Sequence, residues 1–145
     1  MPRLALVPLL AVLAVGCDDL GHVTANKGQV CIERQQVLEF KQDGALTLQV
    51  QSECLPSCIA TEDTWCEASI DGPIIWVDSR FTWSEAEGEC SEDCVRLTAT
   101  CEVATAHPGE YTIRHGLDAY ALQLPSNHLV ECLSEMEDPD ETAVD

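Results

Sequence analysis

Val95-Arg96-Leu97-Thr98-Ala99-Thr100-Cys101-Glu102-Val103 alternates side chains that avoid water with side chains that seek it. Successive side chains of an extended strand point to opposite faces. Val95, Leu97, Ala99, Cys101 and Val103 therefore share one face, and Arg96, Thr98, Thr100 and Glu102 share the other. The same period of two orders Leu46, Leu48 and Val50 around Thr47 and Gln49, and Tyr120, Leu122 and Leu124 around Ala121 and Gln123. Over residues 74–84 it predicts a buried set of Ile75, Val77, Ser79, Phe81 and Trp83. Ile74, Trp76, Asp78, Arg80, Thr82 and Ser84 fall on the opposite, mainly polar face. Turn residues punctuate these stretches at Asp43-Gly44, Asp71-Gly72-Pro73, Pro108-Gly109, His115-Gly116 and Pro125-Ser126-Asn127. No segment longer than about ten residues follows the helical period. Short strands with regular turns predict an all-β sandwich or barrel, and a disulfide-stapled β-sandwich is the expectation.

The chain has 145 residues, 26 of them acidic and 7 basic, for a formal charge of −19. That length suits one domain. The charge excludes nucleic acid as a partner, because phosphates would be repelled and no basic patch offsets the repulsion. It also opposes electrostatic docking on anionic lipid.

After Met1-Pro2-Arg3, residues 4–15 form a run of twelve without a polar side chain. A bilayer span needs about 20, so the run fits the apolar region of an export signal. Ala14-Val15-Gly16-Cys17 follows and resembles the lipobox of bacterial lipoprotein precursors. Ala14 stands where Leu is commonest. The resemblance implies cleavage before Cys17 and acylation of its sulfur with diacylglycerol and fatty acids such as palmitate. It implies a location in the bacterial cell envelope, on the extracytoplasmic side, in the periplasm or at the surface. Ala14 and Gly16 equally satisfy the small-x-small rule of plain secretion, which remains the alternative. Loss of Arg3 leaves six bases against 26 acids, a formal charge of −20. The expected organisation is a signal peptide over 1–16, a lipid-anchored tether over 17–28, a β-sandwich over 29–132 and an acidic disordered tail over 133–145. The tail carries Glu135, Glu137, Asp138, Asp140, Glu141 and Asp145 with no base, and self-repulsion opposes its folding.

Setting Cys17 aside leaves eight cysteines: Cys31, Cys54, Cys58, Cys66, Cys90, Cys94, Cys101 and Cys132. An even number in an exported domain predicts a disulfide framework of unspecified connectivity. Cys54, Cys58 and Cys66 are echoed by Cys90, Cys94 and Cys101 at offsets of 36, 36 and 35 residues. The echo suggests two units, each a two-cysteine loop followed by a strand carrying a third. Bridges then stay within each unit or join corresponding positions of the two. Cys66 (with Ala68 and Ile70) and Cys101 should both point inward. Cys31 and Cys132 bracket the folded part, and a clasp between them would stabilise it by roughly 4–5 kcal/mol in the chain-entropy account. The spacing of Cys54/Cys58 and Cys90/Cys94 would also permit a four-cysteine zinc site. An oxidising compartment favours bridges instead, so no metal is expected.

His107-Pro108-Gly109-Glu110-Tyr111-Thr112-Ile113 resembles the corner that precedes the penultimate strand of immunoglobulin-like sandwiches. The resemblance implies that Tyr111 bonds back to upstream backbone and that Ile113 is buried. Ile113 stands where antibody domains place a cysteine, so their inter-sheet bridge cannot form here.

Catalytic motifs are missing from the sequence. His22, His107, His115 and His128 are isolated, and neither His-Glu-x-x-His, Gly-x-Ser-x-Gly nor a phosphate-binding loop occurs. No catalytic residue and no cofactor are assigned. The expectation is a non-enzymatic envelope lipoprotein acting as a structural or protein-interaction module, held to the membrane by its lipid. The alternative is a ligand-binding module, for carbohydrate, with Trp76 as its stacking platform. An unidentified protein or glycan is the partner in either case. Trp65 and Trp83 are assigned to core or loop packing.

Overall fold

A computed structural model describes residues 21–33, 45–86, 88, 90–91, 93–104, 106–125 and 132–136. Every regular element among them is a strand. In chain order these are β1 (His22–Ala25), β2 (Gln29–Ile32), β3 (Leu46–Gln51), β4 (Leu55–Pro56), β5 (Ile59–Asp71), β6 (Ile74–Glu85), β7 (Cys94–Val95), β8 (Thr98–Val103), β9 (Gly109–His115) and β10 (Asp118–Leu124).

One sheet holds β2, β3 and β8, antiparallel throughout, with Val30, Val50 and Ala99 abreast. A second sheet, of five strands, is built on β6, and β4 and β7 form a small third sheet of two. The whole length of β5 pairs with one edge of β6, from Ile59 across to Glu85 down to Asp71 across from Ile74. Gly72 and Pro73 close that hairpin, and Gly72 takes a φ of 57°, which primed two-residue turns ask of their first residue. The opposite edge of β6 is shared. β9 pairs with Ile74–Val77 in parallel, and β1 pairs with Arg80–Trp83 antiparallel. β10 completes the sheet beyond β9. The parallel pair is possible because the chain between β6 and β9 detours through β8 in the other sheet, the long crossover such pairing needs.

The two inner faces make the core. The alternating residues of β3, β8 and β10 are buried as their period requires, and so are Ile75, Val77, Ser79, Phe81 and Trp83 of β6. Ala68 and Ile70 of β5 pack against them. A disulfide between Cys66 of β5 and Cys101 of β8 joins the sheets.

Two expected boundaries shift. Strand β1, His22–Ala25, lies within the tether expected over 17–28. It fills the edge of β6 that the four-residue β9 contact leaves open, and the His22 ring stacks on Trp83 at 4.2 Å. Within the disordered tail expected over 133–145, Leu133 is instead buried and its N–H donates to the Val30 carbonyl. The Met136 N–H reaches the Ala119 carbonyl. The signal peptide (1–16), Cys17 and residues 137–145 lie outside the described residues.

The Tyr111 corner forms. Its hydroxyl donates to the His107 carbonyl at 2.8 Å and accepts from the His107 N–H at 3.0 Å. Ile113 is fully buried. The sheets are antiparallel except for the parallel β6–β9 pair.

Candidate functional site

The outward face of the β6 sheet carries the exposed aromatics. Residues directly opposite in a sheet share a face. The register therefore sets Trp65 beside Arg80, Glu67 beside Asp78, and Ser69 beside Trp76. β9 adds Arg114 on the other side of Trp76. Trp76 is 48% exposed and Trp65 is 42% exposed. The assignment of Trp65 to core or loop packing is thus corrected to an exposed position on a sheet face. Cys66, Ala68 and Ile70 occupy the inward positions of β5, which leaves Trp65 facing out. Trp83, with the inward set of β6, keeps only 8% exposure. The Arg80 guanidinium lies 5.6 Å from the centre of the Trp65 ring, within cation–π range. Trp76 lies four residues along β6 from Arg80, about 14 Å at the rise of a strand. Two indoles thus flank a row of carboxylates on a twisted but open surface.

Asn26 ties one of those carboxylates down. Its side-chain amide donates to Asp78 Oδ1 at 3.1 Å. Its Oδ1 accepts from the Ser79 N–H at 2.8 Å, and its own N–H donates to the Ser79 carbonyl at 2.9 Å. Asn26 does this with a φ of 51°, a region that asparagine enters more readily than most residues.

Beneath this face lies a contact that the sequence did not reveal. His115 Nε2 and Ser79 Oγ share a 2.8 Å hydrogen bond. His115 ends β9 as a fully buried residue, although His115-Gly116 reads as a surface turn, and Ser79 is 2% exposed. Among the described residues His115 Nδ1 has no hydrogen-bond partner. Burial lowers the His115 pKa below its ordinary 6.5, while Asp118, the Gly28 backbone and Asp78 pull it back upward. A serine bonded to a histidine is the start of a nucleophile–base pair. Here both groups are buried. Tyr120 stands nearby, its phenol pushed up to about 12 by burial first and then by Asp118 and Glu135. It stays neutral across the physiological range.

An open cleft of about 1050 Å³ lies where β1 gives way to β2 and β9 turns into β10. Lys27 and Arg96 line it together with Glu53, Asp118 and Glu135. The mixed charges do not converge on one ligand type.

The cysteines are paired as Cys31–Cys132, Cys54–Cys94, Cys58–Cys90 and Cys66–Cys101. The clasp between the two ends forms as expected. Every other bridge joins the two echoed units, but only Cys66–Cys101 links corresponding positions. The other two cross over. β4 and β7 run antiparallel, with Leu55 across from Val95, so the first cysteine of one loop meets the second of the other. The four sulfurs whose spacing would suit zinc are consumed in these two bridges.

No protein-family model, curated protein or solved structure matches this chain. The case for function therefore rests on the residues themselves.

Proposed function

We propose that this chain is a non-enzymatic lipoprotein of the bacterial cell envelope, anchored through Cys17 on the extracytoplasmic side. It works as an interaction module through the outward face of the β6 sheet. The observation that carries this reading is the presence of two exposed tryptophans, Trp65 and Trp76, on one polar sheet face. Tryptophan is enriched where partners bind, because a large rigid ring gains contact area at little entropic cost. Four disulfides support an oxidising compartment.

The placement of β1 supports the anchored geometry. Cys17 precedes His22 by five residues, a reach of at most about 18 Å. His22 lies across from Trp83. Trp76 stands seven residues further along β6, or about 24 Å. A lipid at Cys17 would therefore keep His22, and Trp83 across from it, within about 20 Å of the bilayer surface.

A second reading, carbohydrate as the ligand, is favoured by the polar row between the indoles. Fractionation of bacteria expressing the full chain tests the anchor. The protein should sediment with membranes, and Cys17→Ser should release it in soluble form. Equal distribution of the two proteins would contradict the proposal.

A further inference from the structure

We infer that the outward face of the β6 sheet binds a neutral, β-linked glucose-type glycan chain, laid along the axis from Trp65 to Trp76. The inference rests on the reading of this face as the recognition surface and names its ligand class.

The chemistry between the two rings decides the class. Cores of protein–protein interfaces are depleted of Asp, Glu, Ser and Lys and close apolar contacts around an aromatic anchor. This face does the reverse. Glu67 and Asp78 sit side by side between the tryptophans, Ser69 flanks Trp76, and all of them are exposed. A glucose-type pyranose suits such a surface. Its equatorial substituents leave a flat face of C–H groups that covers an indole, while its hydroxyls project around the rim. Those hydroxyls can donate to the carboxylates of Glu67 and Asp78 and accept from Arg114. Asp78 is held ready by the Asn26 amide, which engages Oδ1. A preorganised acceptor loses little freedom on binding.

Charge narrows the ligand further. An acidic polysaccharide would meet Glu67, Asp78 and a chain of formal charge −19, and like charges brought together are costly. A neutral chain, N-acetylated or not, meets no such barrier. Length follows from geometry. The indoles stand about 14 Å apart along the strands, so a disaccharide reaches one and a hexasaccharide covers both. Trp76 is the stronger subsite, since Arg80 already lies over the Trp65 ring.

The test uses the oxidised, purified protein with β-1,4-linked hexamers of glucose and of N-acetylglucosamine. Calorimetry and intrinsic fluorescence read binding, and a galacturonate hexamer serves as the acidic control. At least one neutral hexamer should bind, about tenfold more tightly than its dimer, and the acidic hexamer should not. Trp76→Ala should weaken binding by about tenfold or more. Trp65→Ala should weaken it less, and Trp76→Phe should recover part of the loss. A thermal midpoint near wild type for Trp76→Ala shows that folding is intact. If that variant unfolds, Arg114→Ala and Trp76→Phe carry the same comparison. Absence of binding by both neutral hexamers would overturn the inference, as would binding unchanged in the Trp65/Trp76 double variant. Acrylamide quenching separates the two layers. Quenchable tryptophans without sugar binding would refute the glycan and leave the exposed face standing. Shielded tryptophans would refute both.

Discussion

Tyr111 closes a small ring of hydrogen bonds with the backbone of His107, donating to its carbonyl and accepting from its N–H. His107 is itself exposed, so water can replace the phenol if it is removed. Tyr111→Phe should therefore cost about 1 kcal/mol in urea unfolding, the worth of an ordinary hydrogen bond. A loss above about 3 kcal/mol would mean that the ring holds more than the corner. His115 makes a different prediction, because it is buried with its pKa lowered. Both states hold a neutral imidazole well above 6.5. As pH falls through 6.5 the unfolded chain binds a proton that the folded chain refuses, so stability declines until the folded value is passed. The thermal midpoint should drop between pH 7.5 and 5.5 and drop less in His115→Gln. Parallel pH profiles for the two proteins would show that His115 does not carry the effect.

At the scale of elements, the two hairpins of the β6 sheet give a controlled comparison. Gly72 and Gly116 both take positive φ in two-residue turns, 57° and 62°. A Cβ at Gly72 meets nothing within 4 Å, whereas one at Gly116 would collide with the Asn26 carbonyl. Gly72→Ala should cost about 1 kcal/mol, the price of a left-handed conformation alone. Gly116→Ala should cost more, because Asn26 must move and it also holds Ser79 and Asp78. Equal losses in denaturant titrations would refute this account of the turn. The same elements show what a sequence can reveal. Alternation exposed β3, β6, β8 and β10 because each buries one face and wets the other. The outward position of Trp65 was equally legible, since Cys66, Ala68 and Ile70 take the inward places of β5. β1 was not legible. Val23 is its one large apolar side chain and points to solvent, so the strand is held by backbone pairing to β6, which leaves no mark on hydropathy. The meeting of Ser79 with His115 was hidden for a related reason, because it depends on which strands pair rather than on the pattern within either.

For the whole molecule, the cysteines tie together what strand pairing leaves separate. Cys66–Cys101 links the two sheets, Cys31–Cys132 links the ends, and the crossed pair binds β4 to β7. The echo at 36 residues left open bridges within each unit or between corresponding positions, and Cys54–Cys94 and Cys58–Cys90 are neither, because the direction of β4 against β7 had to come from the fold. Parallel and antiparallel arrangements leave the same spacing in a sequence and give opposite connectivities. The parallel placement of β9 against β6 was hidden in the same way. The four bridges hold a domain that we propose is exported and lipid-anchored. The most direct test is the mass of the mature protein made with its own signal, alkylated without reduction and then mapped by proteolysis. The account predicts an acylated chain beginning at Cys17, no alkylated thiols, and peptides linked as 31–132, 54–94, 58–90 and 66–101. Unmodified Cys17 in a chain with several alkylated cysteines would contradict it.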